Sequence, residues 1–201
     1  MKQLNICIIG PLCAGKTTCI ASMPDDFFAS ISSGKLIRAA QIDVSSGDLI
    51  DDNIVLSLIH SEMQKTKKHI LHDGFPRTAA QATKFLEMEE KIDYLFYFNA
   101  SYSNVLERVA KRLVCSNPNC QATYDTNIKT CPKCNSSLLS RPDDNPNAIL
   151  KRYDIFVDHL KSIFDFCKSN NIPVVEIDAN LKPIDVSKQL KYHLTKISQI
   201  G

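Results

Sequence analysis

The sequence has no long apolar run, no excess of one charge and no internal repeat. None of its apolar stretches approaches the about 20 residues that a membrane-spanning helix needs. Its 24 lysines and arginines nearly balance 22 aspartates and glutamates. We therefore expect no membrane and no nucleic-acid partner attracted by overall charge. The N-terminal Met-Lys-Gln-Leu-Asn leads directly into an apolar stretch and does not resemble a signal peptide, so we expect a cytoplasmic protein.

What the sequence does contain is an ordinary globular composition and many cysteines. Of its 201 residues, 44% are hydrophobic and 23% are charged, which suits one main domain with a small inserted one. Eight cysteines are many for a reducing compartment. In such a compartment, spaced cysteines bind metal more often than they form disulfides.

Short apolar stretches alternate with segments of helical periodicity. The predicted strands lie at Leu4–Ile9, Phe28–Ile31, Ile70–Asp73, Tyr94–Phe98 and Pro173–Ile177. The predicted apolar helix stripes consist of Ile54, Leu58 and Ile59, of Ile149, Tyr153, Phe156, Leu160 and Ile163, and of Val186, Leu190, Leu194 and Ile197. This alternation predicts an α/β fold with a parallel sheet flanked by helices.

A phosphate-binding loop follows the first predicted strand. Residues 10–17 read Gly-Pro-Leu-Cys-Ala-Gly-Lys-Thr, which is the pattern G-x-x-x-x-G-K-[ST]. Gly10 and Gly15 let backbone N–H groups approach a phosphate, and the next helix directs its positive end at the anion. Lys16 supplies a cation to the transferred phosphoryl group, and the Thr17 hydroxyl can reach Mg²⁺.

A polar stretch from about residue 114 to 140 has the spacing of a metal site. Its cysteines follow the pattern C-x4-C, ten residues, C-x2-C, at Cys115, Cys120, Cys131 and Cys134. Four thiolates at these spacings can surround a tetrahedral Zn²⁺, which would supply the stability that so few apolar residues cannot. Coincidence and a disulfide pair are the alternatives. A site filled by four protein ligands has a structural role.

A second motif, Asp73-Gly-Phe-Pro-Arg-Thr78, follows the predicted third strand. The Asp73 carboxylate can hold Mg²⁺ through water, and Arg77 is predicted to open a helix that carries Gln81 on the same face. Further arginines flank the cysteine segment, at Arg108, Arg112, Arg141 and Arg152. Any one of them is explained by a surface salt bridge, but together they suit the phosphates of two nucleotides.

These motifs resemble the nucleoside monophosphate kinases over essentially the whole chain, and adenylate kinases with a zinc-binding lid in particular. The resemblance implies Mg²⁺-dependent, reversible phosphoryl transfer from ATP to AMP by a monomer. It also implies a P-loop core at 1–113 and 141–201, a shortened nucleoside-monophosphate arm at 32–61 and a zinc-binding lid at 114–140.

The resemblance assigns roles residue by residue. The catalytic cations would be Lys16, Arg77, Arg112, Arg141 and Arg152. ATP would contact Cys13, Ala14, Gly15, Lys16, Thr17, Thr18, Arg108, Arg112, Thr123, Tyr124 and Lys182. AMP would contact Ser33, Arg38, Asp48, Leu49, Ile50, Gly74, Phe75, Pro76, Arg77, Gln81, Arg141 and Arg152, with Gln81 recognising adenine.

Three departures from the family pattern accompany the resemblance. Thr17 stands where the family usually has glycine, Lys35 stands where it has an acidic residue, and the segment between Arg38 and Gly47 is about a helix shorter. A pyrimidine monophosphate kinase is therefore the alternative within the enzyme class. The alternative of another class is a zinc-ribbon nucleic-acid-binding module, although few basic and aromatic side chains lie between the cysteines.

Overall fold

The fold is an open parallel sheet with helices on both faces. The computed structural model describes residues 3–124, 128–141 and 144–198. The five strands of the sheet lie in the order β2-β3-β1-β4-β8, and all four neighbouring pairs are parallel. They are β1 (Asn5–Ile9), β2 (Phe28–Ser32), β3 (His69–Asp73), β4 (Tyr94–Asn99) and β8 (Val174–Asp178). The predicted fold class is confirmed.

Seven helices cover this sheet within the described residues. They are α1 (Lys16–Ile20), α2 (Ser33–Ala39), α3 (Asp52–Met63), α4 (Ala79–Glu87), α5 (Tyr102–Lys111), α6 (Pro146–Ser169) and α7 (Pro183–Ser198). Side chains of α1, α5 and α7 form the core on one face, and those of α2, α3, α4 and most of α6 form the core on the other. In the part of the chain that the structure describes, no helix is both long and apolar enough to cross a membrane.

The alternation of the first strand explains the two cores. Ile6 and Ile8 belong to the α7 side, whereas Cys7 and Ile9 belong to the α3 side, and all four side chains are buried. A strand buried on both faces reads as a continuous apolar run because its alternate side chains enter different cores. This strand therefore lies at the centre of the sheet.

A small antiparallel sheet forms from the segment around the cysteines. It has the order β6-β5-β7 and consists of β5 (Leu113–Cys115), β6 (Thr123–Tyr124) and β7 (Leu138–Leu139). Among the described residues, its buried core consists of Cys115, Cys131 and Leu138. We call residues 114–140 the lid. Residues 125–127 of the lid, and residues 142–143 directly after Arg141 in sequence, lie outside the described residues.

Two local predictions differ from the structure. Ile54 is 45% exposed, and the buried face of α3 consists of Val55, Leu56, Ile59 and Met63 instead. Arg77 does not open a helix, because α4 begins at Ala79 and the side chain of Thr78 caps it by accepting from the Gln81 N–H.

Candidate active site

A cavity of about 360 Å³ opens at the carboxyl ends of the sheet strands. The loop after β1, the end of β3 and the start of α2 meet there because the carboxyl ends of parallel strands share one edge. Thr123 and Tyr124 of the lid and Arg152 of α6 also line it. Residues that separate motifs predicted to contact ATP, to contact AMP or to belong to the lid therefore line the same cavity.

The phosphate loop is held in place by its two glycines and by its lysine. A Cβ on Gly10 would lie 2.6 Å from the carbonyl oxygen of Phe98, so only glycine fits against β4. Gly15 has a left-handed φ of +88° and precedes α1. The Lys16 ammonium donates to the carbonyl oxygens of Gly10 and Pro11 at 2.7 and 2.6 Å, and burial lowers the pKa of Lys16 to about 8.

The predicted magnesium residues lie in direct contact. The Thr17 hydroxyl donates to Oδ2 of Asp73 at 2.5 Å, which joins the first turn of α1 to the last residue of β3. Asp73 is only 4% exposed and, among the residues that the structure describes, is the one acidic residue that lines the cavity. A hydroxyl and a carboxylate oxygen are hard ligands that Mg²⁺ accepts directly or through water.

The remaining charge of the cavity lining is positive. Its basic residues are Lys16, Lys35, Arg38, Arg77, Arg108, Arg112, Arg141 and Arg152. Among the described lining residues, eight cations face one carboxylate and create a strongly positive field in the cavity, which suits polyanionic ligands. The net charge of the whole chain gave no sign of this concentration.

Arg112 and Arg108 have different partners: Arg112 pairs with a carboxylate, and Arg108 donates to backbone carbonyls. Arg112 follows α5 and forms a two-point ion pair with Asp144, including Nε to Oδ2 at 2.9 Å, with side chains only 8% and 6% exposed. Arg108 donates to the backbone carbonyls of Cys13 at 3.4 Å and Leu181 at 3.2 Å. Arg112 is thus bound to the segment that follows the lid in sequence, and Arg108 bridges the phosphate loop and the segment before α7.

The other predicted contact residues divide into three groups. Among the described residues, Cys13, Ala14, Thr18, Leu49, Gly74, Pro76, Arg77 and Arg141 line the cavity. Asp48 and Ile50 line a smaller neighbouring cavity together with Arg38, Arg77 and Arg152. Ser33, Phe75, Gln81 and Lys182 line neither.

Gln81 and Lys182 have other partners in this structure. Gln81 is 1% exposed, and its amide accepts from the Arg77 N–H at 2.8 Å and donates to Asp52 at 2.9 Å. The carbonyl oxygen of Lys182 accepts from two N–H groups in the first turn of α7. Gln81 therefore fixes the backbone of Arg77, a connection that the motif alone did not indicate.

The lid cysteines form one compact cluster. All four Sγ atoms lie within 4.8 Å of one another, with Cys115 to Cys134 at 3.3 Å and Cys120 to Cys131 at 3.8 Å. Sulfurs around one Zn²⁺ at about 2.3 Å would be about 3.8 Å apart, so the cluster has the size of a tetrahedral site. The Tyr124 hydroxyl lies 3.3 Å from Cys131 Sγ, which connects this cluster to the cavity wall.

Comparison with known proteins identifies the family. The sequence model of the family described as adenylate kinase matches residues 8–172. The chain belongs to the adenylate kinase family. It is 31% identical over 199 residues to the adenylate kinase of Pyrococcus horikoshii, covering 88% of this chain and 89% of that protein. It is 33% identical over 195 residues to the adenylate kinase of Treponema denticola, covering 88% and 92%.

As a member of the adenylate kinase family, the chain is a nucleotide-binding P-loop enzyme that transfers phosphoryl groups between nucleotides. Sequence reasoning missed several residues at the adenylate kinase cavity. Ile155 and Phe156 of α6 and Pro183 and Val186 of α7 line it as apolar walls. The apolar periodicity that included Phe156 and Val186 predicted two helix faces but not which turn of each helix reaches the site.

Proposed function

We propose that this enzyme transfers the γ-phosphoryl group of ATP to AMP reversibly, with Mg²⁺, and gives two molecules of ADP. The observation that supports this most is the shared cavity, in which the phosphate loop faces a second cluster of arginines. A single nucleotide needs one phosphate site. Two separate sets of cations around one space suit a donor and an acceptor that exchange a phosphoryl group.

The donor lies along the phosphate loop in this proposal. Residues 13–18 surround its phosphates, and Lys16 exchanges the two loop carbonyls for phosphate oxygens. Arg108 and Arg112 approach the same phosphates from α5, while Thr123 and Tyr124 close over the nucleotide from the lid. Lys182 borders the adenine through its backbone.

The acceptor lies between α2, the irregular segment 40–51 and the loop after β3. Arg38 and Arg77 hold its phosphate, and Arg141 and Arg152 reach the space between the two nucleotides. Ser33, residues 48–50 and Gly74 to Pro76 enclose the rest of the nucleotide, and the Gln81 amide reaches the base only by exchanging its hydrogen bond to Asp52.

The reaction needs alignment and charge neutralisation rather than a strong base. An acceptor phosphate oxygen is already anionic near neutral pH, so its attack on the γ-phosphorus is opposed mainly by repulsion between two polyanions. Lys16, Arg141 and Arg152 neutralise this charge before the reaction begins, and preorganised groups of this kind each contribute about 10²–10³ in rate. Closure of the lid excludes water, which would otherwise compete as the acceptor.

Two metal ions complete the proposal. Thr17 and Asp73 would hold Mg²⁺, which would neutralise negative charge on the phosphates of ATP. Cys115, Cys120, Cys131 and Cys134 would hold Zn²⁺, which would stabilise a lid whose buried core, among the described residues, contains three side chains.

A coupled ADP-formation assay with AMP, CMP, UMP and GMP as acceptors tests the function. We expect AMP to be the preferred acceptor. Comparable turnover of CMP or UMP would establish the pyrimidine alternative, which gains weight because the Gln81 amide is already hydrogen-bonded to Asp52. An absence of ADP formation with every acceptor would refute phosphoryl transfer between these nucleotides.

The variant Gln81→Ala tests whether the side chain of Gln81 causes a preference for AMP over CMP. If the Gln81 amide recognises adenine, kcat/KM for AMP falls about tenfold to hundredfold while that for CMP changes little, since a lost paired group costs about 1–3 kcal/mol. Equal losses for both acceptors would show that Gln81 acts only by fixing Arg77. The control is Gln64→Ala, at the exposed end of α3.

A further inference from the structure

Gln121 occupies an unusual position in the lid. It follows Cys120 directly, has a left-handed φ of +46° and is only 8% exposed. Its backbone N–H donates to the carbonyl oxygen of Asn117 at 3.0 Å, which closes a turn within the lid. Glycine adopts this backbone conformation more readily than glutamine, so backbone geometry does not explain the side chain.

The side-chain amide of Gln121 joins the lid to α2. Its oxygen accepts from Nε of Arg38 at 2.9 Å, and its nitrogen donates to the carbonyl oxygen of Lys35 at 3.3 Å. The same nitrogen donates to Pro118 within the lid at 2.9 Å. Both N–H donors of the amide are used, so its orientation is fixed relative to the lid and to α2 together.

Arg38 in turn lies beside Arg77, the other cation that we assign to the phosphate of AMP. A Cβ built on Gly34 would lie 3.3 Å from Nη1 of Arg38 and 3.6 Å from Nη2 of Arg77. The two guanidinium groups therefore meet over a residue without a side chain, where an anion can approach both. Holding Nε of Arg38 fixes the plane of its guanidinium and so the direction of its Nη atoms.

We propose that Gln121 is a positioning residue that couples closure of the lid over the donor to the orientation of Arg38 toward the acceptor phosphate. The inference rests on the proposed function. Gln121 does not touch either nucleotide. It acts through Arg38, so that the acceptor is held most firmly when the donor side is covered, which favours transfer to the acceptor over transfer to water.

The chain offers a matched pair of variants for the test. Gln121→Gly removes the amide and relieves the left-handed backbone. Asn135→Gly makes the same backbone change at φ +59°, directly after Cys134, where the side chain is exposed. A second variant, Gln121→Asn, keeps an amide that tolerates this backbone but is too short to span the same distance.

The measurement is the AMP dissociation constant of the full-length, zinc-loaded protein, by titration calorimetry. It is made with and without a saturating non-hydrolysable ATP analogue. We expect the analogue to tighten AMP binding to the wild type and to Asn135→Gly by about tenfold. We define the coupling ratio as the AMP dissociation constant without the analogue divided by that with it. In Gln121→Gly and Gln121→Asn this ratio should fall to about one, with unchanged zinc content.

A ratio that stays at the wild-type value in both Gln121 variants would overturn the inference, because a merely structural residue alters stability but not this coupling. An equal loss in Asn135→Gly would overturn it as well, since the effect would then belong to the lid backbone. The ADP-formation assay on the wild type separates the two proposals. Failure to phosphorylate AMP would refute the proposed function itself, and the inference with it.

Discussion

Replacing Asp144 by asparagine should destabilise the protein more than the removal of any exposed carboxylate. Asp144 and Arg112 form an ion pair with side chains only 6% and 8% exposed. Removing one partner of such a pair takes this compensation from the buried charge that remains, at a cost of about 3–5 kcal/mol. Asparagine is isosteric and still accepts one hydrogen bond, so we expect about 3 kcal/mol.

This free energy translates into a measurable melting shift. An unfolding entropy of about 2.1 cal/mol/K per residue gives a total of about 0.4 kcal/mol/K for the 201 residues. Dividing the loss of about 3 kcal/mol by this entropy predicts that Asp144→Asn lowers Tm by about 7 °C. Saturating ATP should narrow the difference from the wild type, because donor phosphates then neutralise Arg112. Differential scanning calorimetry with and without ATP measures both effects.

The control is Asp165→Asn, which breaks an exposed pair with Lys161 on α6. Exposed pairs contribute about 0–1 kcal/mol, so its Tm should change by no more than about 2 °C. If Asp144→Asn melts within that same range, the Arg112–Asp144 pair does not stabilise the fold and the reasoning is wrong.

Four further predictions concern Lys16, the zinc site and a buried histidine. Lys16→Ala should lower kcat by several orders of magnitude with an unchanged circular dichroism spectrum, and turnover within tenfold of wild type would remove Lys16 from the phosphate site. Because the pKa of Lys16 is about 8, wild-type kcat/KM for ATP should fall as pH rises through 8 in the free enzyme; a flat profile to pH 10 would contradict this. Metal analysis should find about one Zn²⁺ per chain, and Cys131→Ser should lose it and melt earlier while retaining activity at low temperature; full zinc content in Cys131→Ser would refute the ligand set. Burial lowers the pKa of His72 from 6.5 to about 3, so the unfolded chain binds a proton that the folded chain does not, and about 2 kcal/mol of stability should be lost between pH 7 and pH 5. His72→Gln should lose correspondingly less in urea unfolding over that range, and an equal loss would count against this role.

The strands and the phosphate loop could be predicted because their signals are local. Each predicted sheet strand overlaps an observed one, and the signal is most complete in β1, which is buried on both faces. The phosphate loop was recognisable from the spacing of Gly10, Gly15 and Lys16, although the close approach of Gly10 to Phe98 on β4 is a tertiary contact. The cysteine cluster was equally readable, because four sulfurs reach one ion only at restricted spacings.

The partners of the polar side chains could not be predicted from the same signals. Gln81 was expected to recognise a base from a helix face shared with Arg77, yet Arg77 precedes α4 and Gln81 donates to Asp52 on α3. The sequence contains many possible partners for an amide. Only the packing of α3 against α4 decides which of them lies within 3 Å of it.

The sequence by itself therefore determined the parallel sheet, the phosphate loop, the metal-binding spacing and the family to which the chain belongs. Tertiary structure alone decided that Asp144 pairs with Arg112, that Thr17 meets Asp73 and that Gln121 reaches Arg38 across 83 residues of chain. The physical reason is the range of the interactions. Strand periodicity and ligand spacing are fixed by bonds along the backbone, whereas these polar contacts form only after separate segments have folded into one layer-and-lid arrangement and excluded water between them.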